Sequence, residues 1–258
     1  MNNPDTETRA RRIIERLKMF NRKERDHLMK FALCENQEAP RISTALWKKI
    51  SNGGKRPNPD AMFVGMDYHL NWLYAALATA EDDDLTSMDD PSNKWKCVLP
   101  PQTSKKDSNP IQDNQEDVDL LIAWFDQRWA MPLRLILVEA KLDSGWGSKQ
   151  FKSKKERLTL IREDTESRGL KFIDWRFLLM SPGSAPMVKK FKTGSLDGRY
   201  SWLRAPKEEV KESQSPVRHV KLPLANDLWR VKRVSKSSKN WTVIPSKPAT
   251  KKKAGSKG

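Results

Sequence analysis

Apolar residues in the first third of the chain recur at helical spacing. Over residues 6–19, Ile13, Ile14 and Leu17 fall on one side among arginines and lysines, which predicts an amphipathic helix. Asn21 followed by Glu24 has the spacing of a capping box, and Leu28, Phe31 and Ala32 then supply an apolar stripe as far as about residue 35. Residues 43–50, with Leu46 and Trp47, predict a shorter third helix. The glycines and prolines of residues 51–59 interrupt the pattern as a loop. Asn58 is expected to cap a fourth helix with Pro59 in its first position, carrying Met62, Met66, Leu70, Leu73 and Leu77 as a buried stripe. Asp67, Asn71 and Tyr74 form a polar stripe beside it, with Glu81 at its end. His69, near Trp72 and Leu73, is expected to be a satisfied, half-buried histidine.

The period then shortens. After an acidic loop, residues 95–99 suggest a first core strand, and residues 100–117 are polar and proline-bearing, as a loop would be. Residues 119–125 and 133–141 are apolar runs too short for typical helices, joined by polar residues that suit a hairpin connection. With its centre at Trp129, antiparallel partners have numbers summing to 258, so Phe125 meets Leu133 and Asp119 lies opposite Glu139. Side chains alternate along a strand, so Glu139 and Lys141 continue the row of Leu133, Leu135 and Leu137, while Ile136, Val138, Ala140 and Leu142 line the other face. A strand apolar on both sides belongs inside a sheet covered by helices. By the same register Asp117 faces Lys141, which suits an ion pair.

Residues 149–168 predict a helix whose apolar side carries Phe151, Leu158 and Ile161, with Gln150, Lys154 and Arg157 on an adjacent stripe. Residues 171–180 predict a further strand. Short strands near His219, over 229–234 and over 241–244 are assigned to a peripheral sheet, and the lysine-rich residues 246–258 to a disordered tail.

Charge changes the picture of what this α/β chain meets. Its 258 residues hold 49 Lys and Arg against 33 Asp and Glu, a net charge of +16. Such an excess attracts polyanions through counterion release, and nucleic acid is the natural partner. Charge alone selects the partner and not the chemistry. Cys34 and Cys97 form no Cys-x-x-Cys pair, and with only 3 histidines they predict no structural zinc site. No apolar stretch is long enough to span a bilayer, so no membrane partner and a cytoplasmic location are expected. A glycine loop ending in Gly-Lys-Ser/Thr and a Gly-x-Ser-x-Gly elbow are both absent from the sequence, which argues against a nucleotide-driven motor and a serine hydrolase.

Two carboxylates facing each other across a ladder repel, raising one pKa, unless a divalent cation sits between them. Magnesium, or manganese, fits such a pair, because it binds through one or two carboxylates and keeps other positions for water and substrate phosphate. Asp119, Glu139 and Lys141 also give the Asp…Glu-x-Lys pattern of the PD-(D/E)xK nucleases, and residues 59–180 resemble that restriction-endonuclease-like superfamily. The resemblance implies a mixed central sheet flanked by helices and metal-dependent hydrolysis of phosphodiesters, with DNA favoured over RNA. It implies Asp119 and Glu139 as metal ligands, Lys141 as the residue that positions the nucleophile, and Gln150 as a further catalytic residue. It offers Asp67 or Glu81 as an accessory acid; Asp117, on the same strand face as Asp119, becomes a further accessory acid if the register slips. Lys149, Lys154 and Arg157 are expected to hold nucleic-acid phosphates. The organisation expected is a helical extension over residues 1–57, a nuclease-like domain over 58–245, and the basic tail. The competing reading is a protein that keeps this fold for non-catalytic nucleic-acid binding or assembly.

Overall fold

The computed structural model describes residues 4–33, 42–51, 56–58, 61–80, 110, 116–141, 149–181, 217–221, 229–233, 235 and 239–245. Within these the chain is α/β. Five helices are present among the described residues: α1 (Pro4–Phe20), α2 (Glu24–Leu33), α3 (Thr44–Ile50), α4 (Leu70–Ala78) and α5 (Lys149–Ser167). A five-stranded mixed sheet runs in spatial order β1 (Met62–His69), β2 (Asp117–Phe125), β3 (Leu133–Ala140), β4 (Ile173–Ser181) and β5 (Val217–Lys221). The first three strands are antiparallel neighbours, whereas β4 runs parallel to β3 and β5 parallel to β4. A parallel step needs a long crossover, and α5 supplies it between β3 and β4. Two further strands, β6 (Trp229–Arg233) and β7 (Trp241–Pro245), form a separate antiparallel ladder.

The hairpin register is the one that alternation dictates. Phe125 pairs with Leu133 and Leu120 with Val138, and Asp126 N donates to Pro132 O at 2.8 Å to close the connection. Along β3, Leu133, Leu135 and Leu137 enter a core shared with Ile13 and Leu17 of α1, Leu73 and Leu77 of α4, and Leu158 and Ile161 of α5. Ile136 and Val138 enter a second core with Trp47 and Ile50 of α3. Both faces are therefore covered, and each buried leucine or isoleucine contributes roughly 1.5–3 kcal/mol. α1 lies within the first core and α3 within the second, so these two helices before residue 57 are packed on the sheet itself.

The segment expected as one long helix from Asn58 divides instead into β1 and α4. The spacings Met62, Met66 and Leu70 are even numbers, so they satisfy a strand's period as readily as a helix's four. What decides is burial on both sides: Met62 and Val64 enter the α3 core, and Phe63 the other. Phe63 and Tyr68 meet edge-on at 5.2 Å, and a Cβ at Gly65 would lie 2.6 Å from the Phe63 ring. Only glycine fits between them. His69 then ends the strand and caps α4, its Nδ1 accepting Asn71 N at 3.1 Å, and burial pushes its pKa down.

Other expectations shift as well. α2 begins at Glu24, so Asn21 is not its cap but hydrogen-bonds Asp26 at 2.7 Å. Leu28 and Phe31 are exposed rather than packed. Among the described side chains of that helix the buried one is Asp26, whose Oδ1 accepts Met66 N at 3.0 Å and so occupies the outer edge of β1. β5 belongs to the central sheet and not a peripheral one, because Val220 is apolar and fills the second core beside Leu178 and Met180. The strand expected over 95–99, Glu81 and the tail lie outside the described residues.

A carboxylate and lysine cluster at the end of the hairpin

The β2–β3 ladder ends at the pair Leu120 and Val138, although β3 remains laddered to β4 as far as Ala140 and Met180. One residue beyond the last pair stand Asp119 and Glu139. Asp119 Oδ2 accepts the Ala140 backbone N–H at 2.5 Å, so a carboxylate bonds β3 where the ladder has stopped. Asp67 on β1 reaches the same level, bracketed by the pairs Met66 with Leu120 and Tyr68 with Val118. It has a positive φ of 47°, a conformation that costs a non-glycine residue energy. Phe63 and Tyr68, five positions apart, pack in the same core.

Glu139 continues the row of Leu133, Leu135 and Leu137 and is only 4% exposed. A buried carboxylate needs a partner, and it has two. Lys141 Nζ lies 3.0 Å from Oε1, and Lys154 Nζ lies 2.5 Å from Oε2. Lys154 comes from α5 and is itself only 5% exposed, whereas the Lys141 side chain retains 24% exposure. Around Asp119, burial pushes the carboxyl pKa up; the Ala140 N–H pulls it back, Glu139 raises it further, and Lys154 and Lys141 lower it. The group is thus two carboxylates and two ammonium groups.

Lys154 and Arg157, expected to hold phosphates from an exposed stripe, are turned inward. Arg157 is fully buried. It donates to Asn71 Oδ1 on α4 and to Pro110 O at 3.2 Å, and lies 3.8 Å from Glu116. Glu116 in turn accepts from Ser153 Oγ at 2.6 Å, so α5 is tied on either side of Lys154 to the segment entering β2. The physical reason lies in the spacing: Lys154, Leu158 and Ile161 are four and three residues apart, which puts Lys154 on the core-facing stripe. That alignment, beside a carboxylate on an otherwise apolar row, is the signal that marks Lys154 as the partner of Glu139. Lys149 and Gln150 lie in the first turn of α5, and their side chains are outside the described residues.

Asp117 pairs with Lys23 at 2.6 Å and not with Lys141. Asp67 pairs with Arg25 at 3.2 Å. Neither carboxylate joins Asp119 and Glu139, and among the described residues no group of three or more His, Cys, Asp or Glu side chains could hold a metal ion. The residues present still fit a hard divalent cation of the magnesium kind, which takes one or two carboxylates from the protein and completes its shell with water and phosphate. Two ammonium groups now supply the charge that such an ion would bring. Among the described residues no helix is long and apolar enough to cross a membrane.

Comparison of the chain with protein-family models, curated proteins and solved structures found no match. The chemistry of this cluster therefore carries the functional argument.

Proposed function

We propose that the chain is a metal-dependent nuclease of the restriction-endonuclease-like kind, hydrolysing phosphodiesters of nucleic acid, with DNA favoured over RNA. The observation that carries this reading is the convergence of Asp119, Glu139 and Lys141 at the point where β2 and β3 stop pairing. Magnesium or manganese held by Asp119 and Glu139 would supply a water of lowered pKa and a Lewis acid for the phosphoryl oxygens. Asp119 is held by the Ala140 amide, so its carboxylate is oriented before any ion arrives. Lys141, the more exposed of the two lysines, orients the attacking oxygen and offsets charge gathering on phosphorus. The net charge of +16 supports a polyanionic substrate.

The test is cleavage of duplex, single-stranded and branched DNA, and of RNA, by the purified protein in magnesium or manganese, with EDTA and Asp119→Asn as controls. Cleavage that needs the metal and disappears in Asp119→Asn supports the reading. Absence of cleavage on every substrate with both metals overturns it.

One observation favours the competing reading, a non-catalytic nucleic-acid binder. Both oxygens of Glu139 already have ammonium partners, which is how a buried structural carboxylate is satisfied. In that case binding survives EDTA and falls steeply with salt, and no substrate is cut.

A further inference from the structure

Asp119 and Glu139 bring two negative charges to the cluster, and Lys141 and Lys154 return two positive ones. The group is neutral as it stands. A divalent cation on the two carboxylates would leave a net charge of +2 in a part-buried space, which is costly beside the buried Glu139 and Lys154. Lys141 can relieve its share, because its side chain is part-exposed and can turn to solvent. Lys154 cannot do so equally well. It is buried on α5, and α5 is fixed on either side by Ser153 to Glu116 and by Arg157 to Asn71. Its ammonium stays close to any ion that binds Glu139, and repels it, until an anion enters to balance the charge.

Building on the nuclease reading, we propose that Lys154 makes metal loading conditional on substrate. It holds Oε2 of Glu139 in the resting protein, so a divalent metal binds weakly alone and tightly once a nucleic-acid phosphate lies in the cluster. The phosphate gives the displaced ammonium a new partner, and its negative charge cancels part of the excess. Metal and nucleic acid then raise each other's affinity by the same factor. Lys154 is a positioning and gating residue in this scheme, acting through Glu139, and an unloaded protein wastes no metal on an empty site.

The experiment titrates Mn²⁺ into the full-length protein and follows free ion by electron paramagnetic resonance. It is run without nucleic acid and with phosphorothioate-substituted duplex DNA, single-stranded DNA and RNA. Asp119→Asn provides the background, including ions held by the oligonucleotide itself. Without nucleic acid, Lys154→Met should bind Mn²⁺ about tenfold more tightly than wild type, or better, because a neighbouring like charge has gone. Wild type should tighten by a similar factor with at least one oligonucleotide, Lys154→Met much less, and Lys154→Arg should behave as wild type. Added Mn²⁺ should also raise the melting temperature of Lys154→Met more than that of wild type. Equal affinities of wild type and Lys154→Met without nucleic acid overturn the gating role and leave the nuclease reading standing. Failure of wild type to bind Mn²⁺ above the Asp119→Asn background in any condition overturns both. If Lys154→Met does not fold, wild type decides alone: tightening of less than about twofold with every oligonucleotide refutes the coupling.

Discussion

Asp119 accepts the Ala140 amide at 2.5 Å through its side chain, at the level where β2 and β3 cease to be backbone partners. A hairpin that stayed laddered would close the space between its strands; this one opens by a residue and secures the opening with a carboxylate. β3 does not fray in consequence, because β4 holds its other edge as far as Ala140, and Lys141 N donates to Met180 O at 2.8 Å. The cluster therefore sits on a strand fixed from one side and released from the other. Such an arrangement gives polar side chains room without giving them slack.

Lys141 separates chemistry from stability. Its removal leaves Glu139 still paired with Lys154, so Lys141→Ala should cost at most about 1 kcal/mol of stability, in the range of part-exposed ion pairs. On the proposed nuclease reading, cleavage should fall by about two orders of magnitude or more while nucleic-acid affinity stays near wild type, since the lost charge would act mainly on the transition state. Melting temperature, affinity and single-turnover rate on one sample check this. A variant that cuts at the wild-type rate removes the strand from the active site.

Glu139 and Lys154 form the buried pair, and truncating one strands the other. Glu139→Ala should destabilise by about 3–5 kcal/mol, because Lys154 is left charged and only 5% exposed. The double variant Glu139→Leu, Lys154→Met should recover most of that loss, since an apolar pair of similar volume continues the leucine row. Urea unfolding of the three proteins measures it. Additive losses in the double variant would mean that the two side chains are not coupled.

Much of this arrangement is legible in the chain before any coordinates. Strict alternation from Leu133 to Lys141, with a polar connection of fixed length, determines both the register and the face that Glu139 takes. α1, α3 and α5 are likewise readable, because their apolar residues keep a single period. The division of residues 62–78 into β1 and α4 is not, since Met62, Met66 and Leu70 suit both periods and the competing burial on two faces is a tertiary fact. Ion partners are the least legible. Asp117 takes Lys23 and Asp67 takes Arg25, residues 94 and 42 positions away. No local spacing announces such pairs. Lys154 differs, because its alignment with Leu158 and Ile161 marks it as core-facing.

Arg157 tests whether α5's basic residues act on nucleic acid or on the fold. Its guanidinium is fully buried, and burial depresses its pKa while Glu116 and Asp117 raise it. Arg157→Met should leave Glu116 and Asn71 without this partner and destabilise by about 3 kcal/mol, in the range for a broken buried ion pair. Nucleic-acid affinity of the folded fraction, and its salt dependence, should not change. A salt slope smaller by about one phosphate contact, at unchanged stability, would instead place Arg157 at the interface.

Asp119 should make stability depend on pH in a direction opposite to a salt-bridged carboxylate. Its folded-state pKa is raised, chiefly by burial and then by Glu139, so the folded protein holds this proton more firmly than the unfolded chain. The contribution is fully present below the unfolded value of about 4 and is lost as pH rises through the folded one. Asn cannot ionise, and its side-chain oxygen can still accept the Ala140 amide. Measured in EDTA, Asp119→Asn should therefore match wild type in melting temperature at low pH and gain on it as pH rises into the neutral range. Wild type gaining on Asp119→Asn instead would show that Lys141 and Lys154 stabilise the ionised Asp119 by more than its burial costs.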